Sequence, residues 1–244
     1  MHYLKRKRVI SWALYDWANS AFATTVMAGF FPLFFKSFWA ADLSPAESTA
    51  VIGTTNSLAG LLIVLLAPFL GAYSDLGKLK KKFLAFFALL GVLSTGYLYF
   101  IPQGDWVIAA SLYALAVVGF SGGNIFYDSL IVSVSEQDQR HKVSSLGFSM
   151  GYLGGGLLFV VNVLMYLNPA WFGLSSQSEA ILWSFVSVAV WWAVFSLPLF
   201  MSVEEKSNTE ISKGLFENIT EAFKAVVSTL REIKKHKRVA IFLI

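Results

Sequence analysis

The 244 residues contain no cysteine, which excludes disulfide staples and thiolate chemistry. Charge is scarce as well. Asp, Glu, Lys and Arg make up 14% of the chain, where soluble domains carry roughly 25%. Histidine occurs only as His2, His141 and His236, none of them inside an apolar stretch, and no group of residues has metal-ligand spacing. A Gly-x-x-x-x-Gly-Lys-Ser/Thr phosphate loop is missing, so ATP is not bound that way. No nucleophile stands near a histidine. These gaps argue against an enzyme and leave no cofactor or metal to expect. Nucleic acid is not expected either, because the formal charge of +4 comes from positives gathered in short turns rather than on a continuous face.

What fills the chain is apolar sequence, 56% of it hydrophobic, with 22 Phe and 8 Trp. It is concentrated in six nearly uncharged stretches, at about residues 12–35, 51–73, 83–101, 106–134, 143–167 and 180–201. At about 1.5 Å of rise per residue, each can cross the roughly 30 Å hydrocarbon layer of a bilayer as a helix. The expected fold class is an all-α membrane protein, with a six-helix transmembrane lobe over residues 1–201. The basic start Lys5-Arg6-Lys7-Arg8 imitates a signal peptide. The run behind it is too long and aromatic for one, and no small-x-small site closes it, so it reads as a retained first span. Ser44-Pro45-Ala46-Glu47 reads as a helix start before the second span.

Charge sets the orientation. The turn Gly71 to Lys82 holds Lys78, Lys80, Lys81 and Lys82 between two uncharged runs. With the N-terminus inside, eighteen of the 19 Lys and Arg residues fall in inner segments and only Lys36 falls outside. The outer loops carry Asp42, Glu47, Asp105 and Glu179 instead. Lysine and arginine beside a membrane favour the cytoplasmic side. The expectation is a multi-pass protein of the cell (inner) membrane with a cytoplasmic N-terminus and the lipid bilayer as its first partner.

Two acids fall within spans, Asp16 and Asp128, and a carboxylate in oil is costly unless paired or neutralised. Asn19 lies three residues after Asp16 and Asn124 four before Asp128, so each acid shares a helical face with an amide. Tyr15 and Tyr127 immediately precede the acids. Such a set can line a polar cavity for a cation, a proton or a substrate amine. The alternative reading puts both acids near the interface, solvated or capping neighbouring helices. Gly147, Gly151, Gly154 and Gly155 form a smooth stripe on the fifth span where another helix can approach closely, or where a gate can flex. Gly119, Gly122 and Gly123 are expected to let the fourth span bend beside Asn124. Trp12, Trp17, Trp39, Trp106, Trp171 and Trp183 read as interface anchors, and Trp191 and Trp192 as packing residues.

After Met201 the character changes. Residues 202–238 read as a cytoplasmic linker, in which Leu215, Phe216, Ile219, Phe223, Val226, Val227, Leu230 and Ile233 recur at helical spacing. This predicts an amphipathic helix over about 212–235, lying on the inner membrane surface or against the bundle, with a partner-binding helix as the alternative. Residues 239–244 then follow a basic anchor and read as the start of a truncated seventh span.

Three strings carry a resemblance. Gly71-x-x-x-Asp75 with Gly77 and the lysine cluster resembles the loop between spans two and three of the major facilitator superfamily, although Gly77 falls one position early and Leu76 replaces a basic residue. Trp12-Ala-Leu-Tyr-Asp16-Trp17-Ala-Asn19-Ser20-Ala-Phe22, and Phe126-Tyr127-Asp128-Ser129-Leu130, resemble the branch named after the yeast vacuolar amino-acid effluxer linked to autophagy, with its bacterial permease relatives. The resemblance implies the N-terminal half of a roughly twelve-span carrier, built of two inverted three-helix repeats, with a six-helix C-terminal lobe as its missing partner. It also implies that Asp16, Asn19, Asn124 and Asp128 face a central path for substrate or protons. Gly71, Asp75, Gly77, Lys80 and Lys81 would then belong to an inner-gate loop. The expected function is secondary or facilitated transport of a small solute by alternating access, with amino-acid efflux as the family's example and proton coupling through Asp16 or Asp128. The alternative is a non-transporting receptor or scaffold that acts through the cytoplasmic amphipathic helix.

Overall fold

The computed structural model describes residues 2–75, 79–205, 224 and 228. The expected amphipathic helix apart from residues 224 and 228, the start of a seventh span and Gly77 lie outside the described residues. Among the described residues, six helices are long and apolar enough to cross a membrane: Arg6–Trp39, Pro45–Gly71, Lys80–Phe100, Trp106–Val134, Gln137–Leu167 and Gln177–Ser202. The described residues form an all-α bundle of six transmembrane helices.

The helix ends follow from local chemistry. At the second span Ser44 and Glu47 close a reciprocal box. The Ser44 N–H donates to the Glu47 carboxylate at 2.9 Å and the Glu47 N–H to Ser44 Oγ at 3.3 Å. The sixth span starts in a similar way, with the Glu179 N–H on Ser176 Oγ at 3.1 Å and the Ser175 N–H on the Glu179 carboxylate at 2.7 Å. The outer turn between spans three and four needs Gly104, whose φ of +91° is unfavourable for any residue with a Cβ.

The first span is not uniform. It is α-helical over His2–Ala21, a π-helix over Phe22–Phe30, one α turn over Phe31–Phe34 and π again over Phe35–Trp39. The Phe31 N–H reaches back five residues to the Val26 carbonyl, and the Ala40 N–H reaches the Phe35 carbonyl at 2.7 Å. Pro32 sits in the α turn between the two π segments and brings no N–H to the ladder. Such wide turns are rare and concentrate at functional places in helices.

Each half of the lobe reaches into the other. The first span packs on the fifth and sixth, the fourth on the second and third, and the third against the sixth. Tryptophan fills the centre. Trp192 is fully buried, and its ring tilts against Phe22 at 5.7 Å. Phe31 stacks on Tyr113 at 3.8 Å, and Trp39 stacks on Phe185 at 5.8 Å. Two of the expected interface anchors are therefore core residues. Trp12 and Trp39 are buried, and their indole N–H groups donate to the carbonyls of Tyr127 (3.0 Å) and Ile101 (3.1 Å). A neighbouring helix end offers the same mix of apolar surface and acceptor that an interface does.

The fourth span also differs from expectation. It runs unbroken as an α-helix through Gly119, Gly122 and Gly123 to Ser129, and its break comes at Leu130, after Asp128. The glycines provide room instead. A Cβ at Gly119 would collide with the backbone of Gly91, and one at Gly122 with the Phe87 ring.

Candidate functional site

The first and fourth spans meet at a hydrogen bond between amides. Asn19 Nδ2 donates to Asn124 Oδ1 at 2.6 Å, joining two of the four polar residues picked out in the sequence. Asn19 is 1% exposed, so it is a buried tie between helices and not part of an open wall. Its Oδ1 is buried and has no hydrogen-bond partner among the described residues. Asn124 is half-buried and turns partly outward. One turn below Asn19, Asp16 is half-buried and accepts from Ser20 Oγ at 3.1 Å. Asp128 is exposed at the end of the fourth helix. Together these residues form a strip that runs from a buried amide bridge to an open acid.

Aromatic packing holds the strip in place. Trp12 stacks on Tyr127 with centroids 4.4 Å apart and planes 11° from parallel, and Tyr15 stacks on Tyr127 at 5.1 Å. The Tyr127 hydroxyl is buried, without a hydrogen-bond partner among the described residues. On the other side Trp17 stacks on Trp191 at 5.7 Å, and Trp191 Nε1 donates to the Trp17 carbonyl at 3.2 Å.

The glycine stripe of the fifth span lies against this same region of the first. A Cβ at Gly147 would meet the Tyr127 hydroxyl at 2.8 Å, and one at Gly151 would meet Ser20 Oγ at 2.7 Å and the Asp16 carboxylate at 3.0 Å. At Gly154 it would strike the Trp17 carbonyl, and at Gly155 it would lie 2.9 Å from the Ser20 carbonyl. Thr24, at the start of the π segment, completes the join by sharing its hydroxyl between the carbonyls of Ser20 (3.0 Å) and Gly155 (3.2 Å). Sequence reading missed Ser20 and Thr24. Both follow Asp16 at helical spacing, and that spacing was the signal available for them.

The residues expected in an inner-gate loop are distributed differently. Gly71 is half-buried, with open space where a Cβ would stand. Asp75 ends the second helix, and its side chain is outside the described set. Lys81 is committed within the lobe, its Nζ donating to the carbonyls of Phe200 (2.8 Å) and Val203 (2.7 Å) at the end of the sixth span. In return, Glu205 accepts the N–H groups of Lys80 (2.8 Å) and Lys81 (3.3 Å) at the start of the third. An acid at a helix start and a cation at a helix end each oppose the local dipole. Beside this clasp, Arg8 pairs with Glu204 at 2.5 Å. Sequence reading left Glu204 and Glu205 in a polar linker, since only the folded lobe brings them to the lysines.

Comparison with known proteins adds an independent line. The family model described as "Vacuole effluxer Atg22 like" matches residues 44–133 and 131–244. An uncharacterized MFS-type transporter, YxiO of Bacillus subtilis, is 35% identical over 240 residues, covering 98% of this chain and 55% of that protein. Autophagy-related protein 22 of Yarrowia lipolytica is 19% identical over 265 residues, covering 78% of this chain and 44% of its own. Among solved structures, the MFS proton:xylose symporter XylE bound to 6-bromo-6-deoxy-D-glucose superposes with a TM-score of 0.58 at 17% identity, over 99% of this chain and 55% of that one. The chain spans about half the length of the curated relatives it matches.

Proposed function

The chain belongs to the Atg22-like vacuole effluxer family of the major facilitator superfamily, and from that premise we propose that it is the N-terminal lobe of a carrier moving a small solute by alternating access. The polar strip of the first and fourth spans is its share of the path. The amide bridge between Asn19 and Asn124 is the observation that carries this reading, because it fixes the two path helices together beside Asp16 and the open Asp128. A hydrogen-bonded polar face between spans costs less than isolated polar groups in oil, and it marks a route for polar cargo.

Packing supports an inverted-repeat reading of the lobe. The first span sits on the second and third helices of the other half, and the fourth does the same in return, so exchanging the halves preserves the pattern. A second six-helix lobe is the partner that completes the carrier. The charge asymmetry supports a cytoplasmic N-terminus in a cell membrane. The clasp of Lys81 and Glu205 supports an inner-end role in joining the repeats, and Gly71 and Asp75, at the end of the second helix, are proposed with Gly77 to share it.

Amino acids are the proposed cargo class on the strength of the resemblance carried by the strings in spans one and four, and the family description adds efflux without a substrate. Asp16 and Asp128 are the proposed contacts for an ammonium group or a coupling proton, since the described lobe offers no basic side chain beside them. The test is flux of labelled amino acids into and out of proteoliposomes holding the full-length protein, with and without a pH gradient. Asp16→Asn or Asp128→Asn is expected to reduce gradient-driven flux by about tenfold or more while leaving solute exchange measurable, the pattern of an acid that carries the coupled proton. Unchanged flux in both variants would remove the acids from the path.

A further inference from the structure

The basic end of the lobe holds a second polar site, apart from the strip between spans one and four. A cavity of about 640 Å³ opens between the start of the first span, the end of the fourth and the start of the fifth. One part of its wall is cationic and polar, with Arg6, Arg8 and Gln139, and another is apolar, with Ile10, Val143 and Leu146. Arg6 is exposed and has no ion-pair partner among the described residues. Arg8 spends one terminal nitrogen on Glu204, which leaves the other donors of its guanidinium for a ligand. The fifth helix starts here, and its N-cap Gln139 makes no side-chain cap, so the first N–H groups of a 28-residue helix are uncapped by it. Glu136 lines the same cavity together with Ser133 and Ser135, and has an interaction of its own.

We propose that this cavity binds the headgroup of an anionic phospholipid, with its phosphate against Arg6, Arg8 and the start of the fifth helix and its acyl chain along Ile10, Val143 and Leu146. Guanidinium groups and a helix N-terminus both favour phosphate. The apolar wall selects a lipid over a free anion, because a soluble phosphate gains nothing from Ile10 or Leu146, which are 43% and 39% exposed. Basic pockets between helices on the cytoplasmic side are where anionic lipids are retained. The inference rests on the membrane reading and not on transport. Its function is to hold the inner ends of spans one, four and five against the anionic leaflet.

The experiment is native mass spectrometry of the full-length protein in detergent, titrated with phosphatidylglycerol, phosphatidylcholine or inorganic phosphate. The expected result is retained phosphatidylglycerol, with apparent affinity lowered about fivefold in Arg6→Gln and more in Arg6→Gln/Arg8→Gln, and phosphatidylcholine unaffected. Leu146→Gln keeps the charges and is expected to weaken long-chain phosphatidylglycerol but not a short-chain form. Lys36→Gln, at the opposite end of the first span, is expected to change nothing and so controls for total charge. Equal phosphatidylglycerol binding by the arginine variants and the parent would overturn the proposal. Displacement of the lipid by millimolar inorganic phosphate would overturn it in favour of a free-anion site. Either result leaves the carrier reading untouched, since flux is measured separately.

Discussion

Gly154→Leu is expected to keep the lobe from assembling around its first span. A Cβ at this position would run into the Trp17 carbonyl and lie 2.6 Å from two atoms of the Trp17 ring. The carbonyl is backbone, and the ring is held by stacking on Trp191 at 5.7 Å and on the edge of Phe195 at 6.0 Å. Neither can yield cheaply, so the fifth span would have to move outward. That movement would also open the approaches at Gly151 and Gly155, where Ser20 packs close and Thr24 ties the spans through its bond to the Gly155 carbonyl. Overpacking one such site costs about 1–3 kcal/mol, and the loss of the adjoining contacts adds to it. Gly156→Leu is the matched control, because nothing lies within 4 Å of a Cβ there; its cost is expected to stay within about 0.5 kcal/mol. Size-exclusion profiles and unfolding midpoints in detergent check the pair. The leucine at 154 should give aggregated or early-melting protein, and the leucine at 156 a profile like the parent.

Transport should collapse in Asn19→Leu while the fold survives. The substitution removes the donor to Asn124 at a site only 1% exposed, where leucine keeps the branched heavy-atom skeleton of asparagine in a somewhat bulkier side chain. Interhelical hydrogen bonds within membranes contribute about 0.6 kcal/mol on average and at most about 1.7, too little to unfold the lobe. Asn124 would be left with an unpaired amide facing the proposed path, and flux is expected to fall about tenfold or more. The double variant Asn19→Leu/Asn124→Leu separates the two effects. Replacing both partners with apolar groups is close to neutral for stability, so its melting midpoint should return towards the parent. Its flux should not recover. Parallel melting curves and proteoliposome flux on the two variants give both readouts.

The membrane architecture was legible because it rests on one-dimensional facts. Span length and apolarity locate the six helices, and boxes such as Ser44 with Glu47 mark their starts from residues three apart. The glycine stripe was legible for the same reason, as a pattern on one helix face. Tertiary pairing was not. Asn19 and Asn124 are 105 residues apart, and nothing local says that their amides meet. Glu205 read as linker because its partners are the backbone N–H groups of Lys80 and Lys81, which a sequence does not display. Trp12 and Trp39 carry the same chemistry whether they face headgroups or a neighbouring carbonyl, so their burial depended on the bundle. The π segments of the first span had only Pro32 as a hint, and a proline near a helix end more often marks a simple kink.

The central claim is that the face bearing Asn124 and Asp128 meets water and cargo, whereas the outer faces of the lobe meet lipid. The absence of cysteine from these 244 residues makes a direct test available. Single cysteines at Asn124, Asp128 and Leu93 would be placed in the full-length protein and exposed in membranes to an impermeant maleimide, with and without saturating amino acid. Leu93 is 61% exposed on an apolar helix and serves as the lipid-facing reference. The account predicts modification at 124 and 128, slowed by the cargo, and none at 93. Residues 124 and 128 as unreactive as 93 would contradict it, since the strip would then face lipid and could not be a path.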